Sequence, residues 1–199
     1  MLSAFLNAFK IKELRNKILF TAGVIVLCRI AANIPCPGVD TKNLKTYFDS
    51  FGADSAAGQF MGMFDLFSGG ALQQFAIGAL GIMPYISASI IMQLLVPVVP
   101  SLEKLSREGE VGRGRINQYT RYLTILICIV QGAMAAVAMT TPSNLGLPAP
   151  DPAFPLVTNP GFGFIAMSVC ILTAGTMILV WLGERITEHG IGNGVSIII

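Results

Sequence analysis

Polar and apolar residues fall in long blocks along this chain, and several blocks have the length of a membrane span. The clearest runs from Phe75 to Pro100, FAIGALGIMPYISASIIMQLLVPVVP, with no ionisable side chain except the Tyr85 phenol. Crossing a bilayer takes about 20 predominantly apolar residues, so the stretch predicts a spanning helix. Gly78, Gly81 and Pro84 interrupt it, and Ser87, Ser89 and Gln93 place polar groups where hydrocarbon penalises them. Ile82 and Ile86 are four apart and share a helix face. A span with a weak point, a polar stripe and a stacked Ile pair predicts contact with something besides lipid.

The same pattern organises the rest. Leu2, Phe5, Leu6, Phe9 and Leu14 recur at helical spacing in residues 1–17, among Lys10, Lys12, Arg15 and Lys17, which predicts an amphipathic surface helix feeding a first span over 18–34. Arg29, deep in that apolar run, argues against a cleaved signal peptide. It suits either a snorkelling anchor at the membrane edge or a functional, partner-pairing role. Residues 58–74, GQFMGMFDLFSGGALQQ, are too apolar for a free loop and too short to span. They predict a half-helix or re-entrant segment, tolerated at membrane depth when protein or a water-filled cavity surrounds it, with Gly69 and Gly70 supplying the break. A basic loop over 101–121 precedes further spans at 122–139 and 162–182, separated by a connector with six prolines. The polar tail turns apolar at Val195 with five residues left, as though a fifth helix has begun and been cut.

Composition agrees: 53% of residues are hydrophobic, 12% charged, and the mean hydropathy is +0.68. No charged residue falls between Asp65 and Glu103, between Arg121 and Asp151, or between Asp151 and Glu184, which a soluble fold does not explain. The net charge of +2 is too small to imply nucleic acid. Its distribution says more: alternate connectors hold ten Lys and Arg against two, which places the N-terminus and the 101–121 loop in the cytoplasm.

Candidate chemistry is sparse. Cys28, Cys36, Cys128 and Cys170 form no CxxC pair and read as small hydrophobes. The Gly190, Gly192, Gly194 run follows a span rather than a strand and reads as a tight turn. His189, the one histidine, has no catalytic partner in the sequence and reads as a solvated loop residue. The second, third and fourth spans contain no carboxylate, which counts against ion-coupled pumping and against an intramembrane enzyme. A passive apolar-lined path or a scaffold remains.

The segments MFDLFSGGAL (63–72), ALGIMPYISASIIMQLL (79–95), REGEVGRGRINQYTRY (107–122) and WLGERITEHGIGNGVSIII (181–199) resemble, in this order, the N-terminal half of the SecY family, channel subunits of the bacterial Sec translocon. The resemblance implies an all-α multi-spanning membrane protein, one half of an inverted-repeat helical bundle: four complete spans, the start of a fifth and a re-entrant plug. It implies a pore ring at Ile82, Ile86, Val195 and Ile199, with Val195 in place of the family's more usual isoleucine. It also implies a plug over Phe64, Asp65, Leu66, Phe67, Ser68, Gly69 and Gly70. Ser87, Gln93 and Gln131 become lateral-gate candidates, with an ordinary interhelical hydrogen bond as the alternative for each, and Arg113, Arg115 and Arg121 become candidates for partner binding. Implied partners are SecE and SecG, the motor ATPase SecA or a ribosome, a translocating polypeptide with its signal sequence, the lipid bilayer and the C-terminal half of the same subunit. No cofactor, metal or enzymatic activity is expected, and the implied location is the bacterial plasma membrane. One half of an inverted-repeat small-solute transporter is the alternative.

Overall fold

A computed structural model describes residues 11–50, 56–142 and 155–198. Those residues form eight helices and no extended strand. They are α1 (Lys12–Asn33), α2 (Thr41–Ser50), α3 (Ala56–Ser68), α4 (Met83–Val98), α5 (Pro100–Arg107), α6 (Glu110–Thr140), α7 (Phe162–His189) and α8 (Gly194–Ile198). Residues 1–10, the first part of the expected surface helix, lie outside the described residues.

The helices α6 and α7 are each long and apolar enough to cross a membrane; α4 and α5 together form a third such unit if the pair counts as one span, bent by 97°. The expected first span lies in α1, which has 22 residues but carries Lys12, Glu13, Arg15, Lys17 and Arg29 and is not among these clear spans.

Local chemistry explains where the elements begin and end. Asp40 caps α2, its Oδ1 accepting from the Lys42 and Asn43 amides at 3.0 and 3.3 Å. The C-terminus of α3 closes in a Schellman arrangement: the Gly70 amide donates to Asp65 O at 3.0 Å and the Gly69 amide to Leu66 O at 3.2 Å. Gly69 and Gly70 have φ of +66° and +85°, values that suit glycine. Between α4 and α5, Pro97 and Pro100 flank a bend at Val99, where missing amide donors and ring clashes stop one helix continuing into the next.

The stretch 75–100 departs from the single continuous helix expected of it. Residues 71–82 form successive turns, Phe75 and Gly81 adopt φ of +45° and +57°, and the helix starts only at Met83 with Pro84 in its first turn. Gly81 and Pro84 therefore mark a helix start, where a proline's missing N–H is tolerated, and not a flexible point inside a span. The basic loop over 101–121 is also corrected, because Pro100–Arg107 and Glu110 onward are helical and Arg113, Arg115 and Arg121 lie on α6. His189 is the last residue of α7, a helix end rather than a loop.

Among the described residues three apolar clusters form, the smallest of them Ala32, Ala71 and Ala76. In one, Cys36, Leu44, Phe75, Leu156, Phe164 and Leu172 pack together with Ala79 and Ala136. Backbone pairing supports it: Cys36 N donates to Phe75 O at 3.0 Å, Ile77 N to Ile34 O at 2.9 Å, and Asp40 N to Leu156 O at 3.1 Å. The chain after α1, the turns before α4 and the strand-like entry to α7 are thereby stitched together. The second cluster belongs to the candidate site.

Candidate functional site

The second cluster gathers Val24 and Cys28 of α1, Ile82 at the head of α4, and Leu179, Leu182 and Ile186 of α7, with Tyr85, Ile86, Val195 and Ile198 packed against them. Val195, more than a hundred residues from Ile82 and Ile86 in sequence, thus shares one apolar surface with them. The i to i+4 relation of the Ile pair is kept, since the Ile86 amide donates to Ile82 O at 3.1 Å. Ile82 is buried and Ile86 and Val195 are half-buried; Ile199 lies outside the described residues.

Three polar contacts set α8 in place. Asn193 Oδ1 accepts from the Val195 amide at 3.1 Å, Thr187 Oγ1 from the Gly194 amide at 2.9 Å, and Thr21 Oγ1 from the Ile191 amide at 3.3 Å. Residues 190–193 therefore form a short turn pinned to both α1 and α7, with Gly192 at φ +69°, in keeping with the turn expected of the glycine run.

The segment 71–82 reaches the cluster by lying directly on α7. A Cβ on Gly175 would overlap the Ile77 carbonyl oxygen and come within 2.9 Å of the Ile77 carbonyl carbon. Only the smallest residue allows this backbone approach, and Gly175 had no signal in the sequence that separated it from other span glycines.

The plug candidate is helical from Ala56 to Ser68, so Phe64, Asp65, Leu66, Phe67 and Ser68 lie on α3 and Gly69 and Gly70 form its cap. The Ser68 hydroxyl donates to Asp65 O at 3.0 Å and accepts from the Leu72 amide at 3.2 Å, while Asp65 Oδ1 accepts from the Gln73 amide at 3.3 Å. The end of α3 meets the cluster across a cavity of about 50 Å³ lined by Cys28, Arg29, Leu66, Gly69, Ile82 and Leu179 among others. Arg29 is exposed and forms no ion pair among the described residues; its guanidinium lies against Gly69.

The gate candidates divide. Ser87 and Gln131 line one groove of about 410 Å³ with Ser68, Leu80, Met83 and Met134. Gln93 lies elsewhere, in a cavity of about 370 Å³ with Tyr85, Ile86, Glu184 and Val195, and its Nε2 donates to Ser89 Oγ at 3.3 Å. The structure does not bring Gln93 to the other two, because six residues further along α4 is more than a full turn away.

The basic candidates also divide. Arg113 and Arg115 are exposed on α6. Arg121 is engaged internally, its Nε and Nη2 donating to Glu184 Oε1 and Oε2 at 3.0 and 2.6 Å. This two-pronged pair ties α6 to α7, and the Arg121 side chain stays 47% exposed. Spacing could not reveal the pair, because the partners are 63 positions apart.

Outside the membrane-spanning helices, burial against the first cluster pushes the Cys36 thiol above its ordinary value, opposed by a contact with Ser168 Oγ at 3.8 Å. All four cysteines are free thiols; Cys170 alone is exposed. Among the described residues no cluster of His, Cys, Asp or Glu could hold a metal ion.

A family model named SecY matches residues 76–199. The chain is 47% identical over 205 residues to the protein translocase subunit SecY of Streptomyces coelicolor, covering 100% of this chain and 44% of that protein. It is 44% identical over 200 residues to the same-named subunit of Aquifex aeolicus, again across 100% of this chain and 44% of the relative. A solved structure of Sec61 in the canine ribosome-channel complex from the endoplasmic reticulum superposes with a TM-score of 0.58 at 20% identity, covering 92% of this chain and 35% of that one; at that identity the likeness concerns the fold. The chain spans 44% of the length of these two relatives. The family match covers more than half of the chain, from Ala76 through Ile82, α4, α7 and α8, and the chain belongs to the SecY family.

Proposed function

We propose that this chain forms the N-terminal half of the central pore-forming subunit of a Sec translocon, a passive conduit for unfolded secretory proteins across, and for membrane proteins laterally into, a bacterial plasma membrane. The observation that carries the reading is the convergence of Ile82, Ile86 and Val195 in one apolar cluster of a SecY-family chain. Aliphatic side chains offer ions no polar partner, yet adapt to a passing polypeptide without binding it. Ile199 completes this half of the ring, α3 with its glycine cap serves as the plug, and the groove at Ser87 and Gln131 is the local part of the lateral gate. The N-terminus and the exposed Arg113 and Arg115 face the cytoplasm, toward SecA or a ribosome. SecE, SecG and the C-terminal half of the subunit complete the channel. The conduit performs no chemistry and holds no cofactor, its driving energy coming from the motor or from translation.

The test places a photocrosslinking side chain at position 82 of the complete channel holding a stalled secretory chain. A crosslink to the translocating chain is expected, and Ile82→Asn should raise idle ion leak. No crosslink, unchanged conductance and unchanged export would sink the proposal, and saturable small-solute uptake requiring this chain would favour the transporter reading.

A further inference from the structure

Arg29 is a charged side chain inside an otherwise apolar run, and the role just proposed for the ring and plug does not use it. Among the described residues it forms no ion pair, although ion pairs occur elsewhere at Glu103, Glu184 and Glu188. Its guanidinium instead approaches Gly69 so closely that a Cβ there would collide with Nη1 and sit 3.3 Å from Cζ. Gly69 is the first residue past α3, in the cap where that helix turns off. The last turn of α3 contains no basic residue of its own. A helix C-terminus carries partial negative charge and favours a cation, so Arg29 supplies from α1 what α3 lacks. The same guanidinium borders the small cavity that Leu66 and Gly69 share with Ile82. A single charge therefore touches the end of the plug and lies beside the ring.

We infer that Arg29 latches the closed channel: it is a positioning residue that holds the C-terminal cap of α3 against the ring, and its release accompanies plug displacement. This rests on the reading of α3 as the plug and of Ile82 as part of the seal. Glycine at position 69 serves the latch in two ways, permitting the positive φ and leaving room for the guanidinium. Gly70 separates the two effects, because its φ is +85° but nothing lies within 4 Å of a Cβ there.

The experiment uses the complete channel in planar bilayers without substrate, comparing Arg29→Ala, Arg29→Lys, Gly69→Ala, Gly70→Ala, the Arg29→Ala/Gly69→Ala double variant, and Ile82→Asn. Arg29→Ala is expected to raise idle leak several-fold, with Arg29→Lys restoring most of the closure, since a lysine keeps the cation. Gly69→Ala should leak more than Gly70→Ala, which sets the baseline for backbone strain. The double variant should leak no more than the worse single variant, because both remove one contact. A merely structural defect would make the two effects add and would not be relieved by lysine. Leak from Ile82→Asn with none from Arg29→Ala or Gly69→Ala overturns the latch and leaves the channel reading standing. Equal leak from Gly69→Ala and Gly70→Ala also overturns it, attributing the effect to strain. No leak from any variant, Ile82→Asn included, overturns the channel reading and the latch with it. If Arg29→Ala fails to fold, the Gly69 and Gly70 pair decides.

Discussion

Replacing Gly175 with alanine should lift the turns before α4 off α7 and disturb Ile82 at their end. The added Cβ would overlap the Ile77 carbonyl oxygen and lie 2.5 Å from Ile77 Cγ2 and 2.9 Å from its carbonyl carbon. The side chain could rotate away, but the carbonyl is backbone. Its residue is also tied down, with Ile77 N donating to Ile34 O at 2.9 Å. The segment must therefore move as a unit. Overpacking of this kind costs about 1–3 kcal/mol, and backbone involvement puts Gly175→Ala toward the upper end. Alanine also returns about 1 kcal/mol through helix propensity, leaving a net destabilisation of about 2 kcal/mol. Gly163 is the comparison: it lies on the same helix with nothing within 4 Å of a Cβ, so Gly163→Ala should be neutral or mildly stabilising. Thermal unfolding of the complete channel in detergent would rank the two variants, with Gly175→Ala melting a few degrees lower. If both melt together, or in the opposite order, the close approach of residues 71–82 to α7 is not part of the fold.

Three further predictions concern the paired and buried groups. Arg121→Ala, Glu184→Gln and the double variant should show a coupling of about 1 kcal/mol in thermal stability; the bidentate geometry strengthens the pair, but the side chains are 47% and 21% exposed, so solvent screens it. Strict additivity would refute the pairing. A maleimide added to the channel in detergent should reach buried Cys36 only on unfolding; early labelling of Cys36 would contradict its burial. Because burial raises the Cys36 pKa from 9.0, the folded state favours the neutral thiol. Its contribution to stability is complete below that value and is lost as pH rises through the folded pKa, so Cys36→Ala should flatten any alkaline loss of stability.

Much of the site was legible in the sequence because it depends on local pattern. The apolar blocks marked α6 and α7, since a span must satisfy its backbone internally over a fixed thickness, and the Ile82 and Ile86 spacing placed both on one helical face. The Gly69–Gly70 pair marked the end of α3, because positive φ is cheap only for glycine. Resemblance, rather than spacing, joined Val195 to the Ile pair.

Other features depended on which groups meet in three dimensions. A strip of apolar residues long enough to span does not reveal where its helix begins, and Phe75–Ile82 became turns because their backbone pairs with Ile34 and Cys36 and lies on Gly175. Arg121 looked like any loop cation until Glu184 stood opposite it. Arg29 could have pointed to the membrane edge or to a partner, and a rotatable side chain does not announce its direction in the sequence. Periodicity records the face a residue occupies. Only tertiary packing decides what that face meets, and for Arg29 it meets the end of α3.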